Sequence, residues 1–256
     1  IANAFLWKGV AVMNLGKYEE ALNNSMQALK IYDELIALNI KNGDTSGKSE
    51  ALNLKSKAYN NIGIIYRQQG KYKDALENSF AALKIRIAIG DKTGIATSYS
   101  NIGLMYNDQG NNTEALKYDF AALKIRKEIG NKKGIADTYN NIGLIYDDQG
   151  NYPEALKSYF SSLKIKAEIA DKYGIAITYN NIGNVYSAQH SYALALKYYF
   201  AEQKISEEID DKYGVVAAYV NTGLIYGYQK NYYAALKMHN TSLNMAKEIG
   251  DPINIA

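Results

Sequence analysis

The phrase Y-x-N-I-G-x-x-Y begins at Tyr59, Tyr99, Tyr139 and Tyr179 and returns in altered form as Tyr219-Val220-Asn221-Thr222-Gly223, so the chain repeats every 40 residues. A second phrase keeps step with it: A-L-E-N-S-F-A-A-L-K-I from Ala75, A-L-K-Y-D-F-A-A-L-K-I from Ala115, A-L-K-S-Y-F-S-S-L-K-I from Ala155 and A-L-K-Y-Y-F-A-E-Q-K-I from Ala195. A fixed period of this length decides the fold class, because one such unit cannot bury its apolar face alone and must stack on its neighbours. Two phrases per period predict two helices per repeat.

The N-terminal stretch fits the same pattern through Phe5, Gly9, Gly16, Tyr18, Ala21 and Ala28, but Gly9 to Gly63 spans 54 residues instead of 40. An insertion of an extra loop and some helix is expected near N-G-D-T-S-G-K-S at 42–49. The repeats then run approximately 1–42, 43–90, 91–130, 131–170, 171–210 and 211–250 in a single solenoid, with 251–256 opening a further one. A chain that starts without Met inside a repeat is expected to be part of a longer protein.

Boundary signals agree. In D-K-x-G, Asp91, Asp171 and Asp211 are placed to cap the first helix of a repeat, and Pro252 after Asp251 falls at a first helical position, where a missing N–H costs little. Gly110 and Gly150 are expected to end that helix in the left-handed conformation. The second helix opens with capping-box spacing, Asn111 to Glu114 and Asn151 to Glu154, and stops at Gly90, Gly130 or Gly250. Each helix is expected to hold about 16 to 18 residues.

These motifs resemble the tetratricopeptide repeat proteins, whose W-x2-L-G-x2-Y, then A-x3-F, then P appears here as Y-x2-I-G-x2-Y followed by Ala75, Ala115, Ala155, Ala195 and Ala235. Tyrosine replaces the leading tryptophan, and Ile87, Lys127, Ala167, Glu207 and Lys247 stand where the closing proline belongs. Without that breaker the second helix runs on, which accounts for the longer period; such long repeats look like those of polarity adaptors, kinesin light chains and bacterial sensor modules. The resemblance implies an all-α, right-handed superhelical solenoid of antiparallel helix pairs, six repeats long, that serves protein–protein interaction.

At about 100° per residue, Tyr139, Ile142, Gly143 and Tyr146 share one buried stripe. The tyrosines are expected to be core. Gly143, with Gly63, Gly103, Gly183 and Gly223, is expected to admit the partner helix closely, Ala155 being the matching small residue. Asp137, Asn140, Asn141, Leu144, Asp147 and Asp148 cluster on the opposite face, within about 120°. In a solenoid the first helices line the concave wall, and such faces stack into a groove.

Asn61, Asn101, Asn141, Asn181 and Asn221 hold one place in five consecutive repeats, preceded by Asn60, Ser100, Asn140, Asn180 and Val220. A solvated helix face is normally filled with Lys, Glu, Gln or Arg. An amide row can instead pair with the backbone of an extended peptide, or bridge neighbouring repeats. The pattern is similar to the asparagine ladder of the O-linked N-acetylglucosamine transferase superhelix. The expected groove adds Leu104, Leu144, Asn184 and Leu224 with Asp108, Asp147 and Asp148. Asp108, Asp137, Asp147 and Asp148, with the neutral Asn107 among them, make its middle acidic, Lys57 and Arg67 lie toward one end, and Ala217 and Tyr228 toward the other. This favours a peptide with basic or neutral polar residues at its centre over the acidic tails held by carboxylate-clamp members of the family. Lys84, Arg86, Lys124, Arg126, Lys127, Lys164 and Lys166 are assigned to the solvated outer face.

Net charge of +3, without a dense basic run, disfavours nucleic acid, and no apolar run is long enough to span a membrane. The absence of cysteine removes disulfides, thiolate metal sites and cysteine nucleophiles. His190 replaces a helix-ending glycine and His239 lies on a second helix, neither with a metal-ligand spacing partner. No nucleophile motif, phosphate loop or cofactor motif is present, so the chain is expected to be no enzyme. Three readings follow: a peptide-binding scaffold, a sensory or regulatory module of a larger kinase or cyclase, and a self-assembly element acting through uncapped repeat ends.

Overall fold

The computed structural model describes residues 2–250, and every regular element among them is an α-helix. Backbone contacts divide the chain into two compact units, Ile1–Gly130 and Asn131–Ala256. The first contains α1 (Ala2–Asn14), α2 (Tyr18–Lys41), α3 (Thr45–Gln68), α4 (Tyr72–Ala88), α5 (Lys92–Asp108) and α6 (Asn112–Glu128). The second contains α7 (Lys132–Asp148), α8 (Tyr152–Glu168), α9 (Lys172–Ala188), α10 (Tyr192–Glu208), α11 (Lys212–Tyr228) and α12 (Tyr232–Ile249). Within a unit each helix packs on the next through a three-residue turn, which makes neighbours antiparallel. Successive odd-numbered helices, the first of each pair, also approach one another. They form a shared wall in each unit.

The extra residues near the N-terminus are helix rather than loop. Both α2 and α3 have 24 residues, seven more than the 17 of α4, and these two extensions account for the 14 extra residues between Gly9 and Gly63. Only 42–44 remain as a turn, because Asp44 caps α3 by accepting from Gly47 N–H at 2.8 Å.

Asp91, Asp171 and Asp211 cap their helices in the same way, accepting from Gly94, Gly174 and Gly214 at 2.9, 3.0 and 3.1 Å. The glycine of D-K-x-G follows from this: a Cβ at Gly94 would lie 2.1 Å from Asp91 Oδ2. Asn111 caps α6 through Glu114 N–H, whereas Asn151 makes no such bond to α8, whose first turn contains Pro153. Gly90, Gly110, Gly130, Gly150 and Gly250 all take positive φ, and Ala170, His190, Asp210 and Lys230 adopt it at 54° to 61° in the corresponding turns. Asp251 and Pro252 lie outside the described residues.

The repeat tyrosines pack on one another but are half-buried rather than fully in the core. Tyr106 stacks on Tyr118 at 5.6 Å with Tyr99 tilted beside it, and Tyr186 stacks on Tyr198 at 5.5 Å with Tyr179 beside it. Phe80 and Phe160 meet Tyr118 and Tyr198 edge-on. Such offset and edge geometries add to the area the rings bury.

Gly143 faces something larger than Ala155. A Cβ there would lie 2.6 Å from the Tyr159 ring, which is fully buried. At the corresponding Gly63 and Gly103 the nearest backbone atoms are the carbonyls of Ala75 and Ala115, at 3.1 and 3.2 Å, and the facing side chains are the smaller Ser79 and Asp119. The glycine column therefore accepts close backbone packing in some repeats and a whole aromatic ring in others.

Candidate functional site

The asparagine row is split in its bonding. Asn101 Nδ2 donates to Asn60 Oδ1 at 2.8 Å, and Asn181 Nδ2 donates to Asn140 Oδ1 at 3.1 Å. Each bond joins a first helix to the first helix before it, one residue out of register. Asn140 is accordingly buried rather than on an open polar face. Asn61, Asn141 and Asn221 are half-buried and have no side-chain hydrogen-bond partner among the described residues. At Asn221 the reason is local: Asn180, the residue that would receive it, gives its amide to Glu202 and takes Asn184 Nδ2 on its oxygen at 3.1 Å.

The other expected groove residues also take different places. Leu104 is half-buried, Leu144 joins the apolar cluster around Tyr159, and Leu224 is exposed. Asn184 is exposed and accepts from Tyr199 Oη at 2.8 Å. In the first unit Asn60, Asn61, Lys57 and Arg86 line a pocket of about 400 Å³ with Leu6 and Trp7, the latter 72% exposed.

The acidic middle expected from the sequence is largely answered inside the protein. Arg67 holds Asp108 in a forked pair, and Asp137 stands 4.0 Å from Lys166 Nζ. Burial, with the neighbouring Asp148 charge, pushes the half-buried Asp147 carboxyl up from its ordinary value.

Two residues assigned to the outer face are interior. Arg86 is 5% exposed and Lys166 3% exposed. Arg86 Nη1 donates to Gly94 O and Ser98 Oγ at 3.0 and 2.7 Å, and Lys166 Nζ donates to Gly174 O and Thr178 Oγ1 at 3.2 and 3.1 Å. Burial lowers both pKa values. Each cation ties a second helix to the first helix of the next repeat. Lys84, Lys124, Lys127 and Lys164 are exposed, and Arg126 is half-buried.

Glu202 is the side chain that the sequence reading passed over. It is 4% exposed on α10 and accepts from Asn180 Nδ2 at 3.1 and 3.0 Å. Burial pushes its carboxyl up to about 7, the Asn180 bond opposing this and Asp211 adding to it. The signal was in the period: the same column holds Ala82, Ala122, Ser162 and Ser242, all small. Tyr199 and Tyr159 were likewise unmarked. The Tyr159 hydroxyl is buried without a partner, where Leu144 replaces the Asn184 that serves Tyr199.

Among the described residues no group of His, Asp and Glu could hold a metal ion, and no helix is long and apolar enough to cross a membrane. His190 takes a left-handed φ of 56° beside Tyr192, and His239 lies against Gly223.

Comparison with curated protein sequences finds no significant match. Among solved structures the chain is similar to BtubC (BKLC) from P. vanneervenii, at TM-score 0.73 and 15% identity over 89% of this chain and 92% of that one. It is also similar to a Rap protein complexed with Competence and Sporulation Factor, at TM-score 0.70 and 17% identity over 99% and 78% of the two chains. NprR in complex with its cognate peptide NprX matches at TM-score 0.64 and 20% identity, over 96% and 67%. Tetratricopeptide repeat family models match residues 2–34, 54–118, 94–168 and 174–248. With twelve helices in six pairs among the described residues and these matches along most of its length, the chain belongs to the tetratricopeptide repeat family.

Proposed function

We propose that this protein is a non-enzymatic interaction scaffold whose first helices hold an extended peptide by its backbone. The observation that carries this is the split asparagine row. In the second unit Asn181 locks α9 to α7, while Asn141 and Asn221 keep amide donors and acceptors for an outside partner; in the first unit Asn101 and Asn61 stand in the same relation. An extended peptide presents alternating N–H and C=O groups that such amides can satisfy without reading its side chains. NprR, similar in fold, was solved with a peptide, which supports the same use here. An open wall must offset the ordering entropy of its ligand, so affinities on the order of micromolar are expected.

Selection of a random peptide library on the immobilised protein tests this. Capture of peptides that compete with one another supports it, and a library returned without enrichment contradicts it.

A further inference from the structure

The seams between repeats differ in one charge. Between α8 and α9 the protein supplies its own cation, Lys166, which is buried and bonded to Gly174 O and Thr178 Oγ1. Arg86 does the same between α4 and α5 through Gly94 O and Ser98 Oγ. One period after Lys166, between α10 and α11, the cation position is Ser206 and the Thr178 position is Ala218. One turn before Ser206 stands Glu202, a buried carboxylate held only by the neutral amide of Asn180. The Ser206 hydroxyl is fully buried and has no partner. A buried carboxylate without a cation is costly. This seam has lost its cation and gained an anion.

Glu202 and Asn180 line an open pocket of about 270 Å³ with Ile177, Ala217, Tyr173 and Tyr213. The volume suits one side chain and falls below the roughly 300–1,000 Å³ of sites for larger ligands. Tyr173 and Tyr213 are 58% and 61% exposed, and tyrosine faces attract cations.

We infer that this pocket is a cation-recognition site for a primary ammonium or guanidinium group, its charge placed on Glu202 and its stem against Tyr173 and Tyr213. The source is a lysine or arginine side chain of the bound peptide, which rests on the peptide-binding reading above; a free small amine offers the same chemistry.

The test has two arms. In the first, n-butylammonium is titrated into the protein while the Asn180 side-chain amide resonances are followed. A saturable shift that weakens at least tenfold in Glu202→Gln, and severalfold in the surface variant Tyr213→Ala, is expected. No saturable shift, or one unchanged in both variants, overturns the site. In the second arm a random peptide library is selected on the wild type and on Glu202→Gln. Lysine or arginine enriched at one position on the wild type alone identifies the peptide as the source. Captured peptides without that bias, alongside amine binding, assign the pocket to a free amine and leave the peptide reading intact. Amine binding with no peptide captured keeps the site and sinks the peptide reading.

Discussion

Asn181 reaches back one repeat and donates its amide to Asn140, a buried side chain, at 3.1 Å. The bond joins α9 to α7 directly, so the pair is structural. Asn140→Ala leaves the Asn181 amide without its acceptor and is expected to lower stability by about 1–2 kcal/mol in urea unfolding. Asn221→Ala, at the same place in the period but without a partner, is expected to stay within about 0.5 kcal/mol. Equal losses at the two positions would show that the split in the row is not real.

Gly143 and Gly227 are both helical glycines, yet their surroundings predict opposite signs. A Cβ at Gly143 meets the buried Tyr159 ring at 2.6 Å, so Gly143→Ala is expected to cost about 1–3 kcal/mol by overpacking, despite the better helix propensity of alanine. At Gly227 nothing lies within 4 Å of the added carbon, and Gly227→Ala is expected to stabilise by up to about 1 kcal/mol. Thermal unfolding of the two variants decides this.

Glu202 makes stability depend on pH. Its folded-state pKa, about 7, stands above the ordinary 4.5, so the folded chain binds this proton more tightly than the unfolded one. The contribution is therefore complete below about pH 4.5 and lost as pH rises through about 7. Relative to Glu202→Gln, the wild type is expected to lose on the order of 1–3 kcal/mol between pH 4.5 and pH 8. Urea unfolding of both proteins at each pH gives that difference, with other titrating groups cancelling. A difference independent of pH contradicts the account of this seam.

The fold was legible because its signals lie within single repeats. The 40-residue period, the Asp91 and Asp171 caps and the Gly110 and Gly150 turns each depend on residues close in sequence. The interior places of Arg86, Lys166 and Glu202 were not legible in the same way. Lys166 stands near Asp137 of α7, and the bonds that hold its charged end come from the next repeat, through Gly174 and Thr178. The same applies to the asparagines: identical letters at Asn181 and Asn221 have different fates because Asn180 is drawn away by Glu202. A period shows which columns exist, and the contents of the adjoining column decide what each residue does.

The most direct test of the proposed scaffold is a calorimetric titration of a peptide recovered by library selection into the wild type and into Asn141→Ala combined with Asn221→Ala. Both amides lack side-chain partners among the described residues, and each lost neutral hydrogen bond is worth about 1 kcal/mol, so binding is expected to weaken roughly tenfold or more with little change in melting temperature. Unchanged affinity in the folded double variant would contradict the claim that the free rungs of the row hold a peptide backbone.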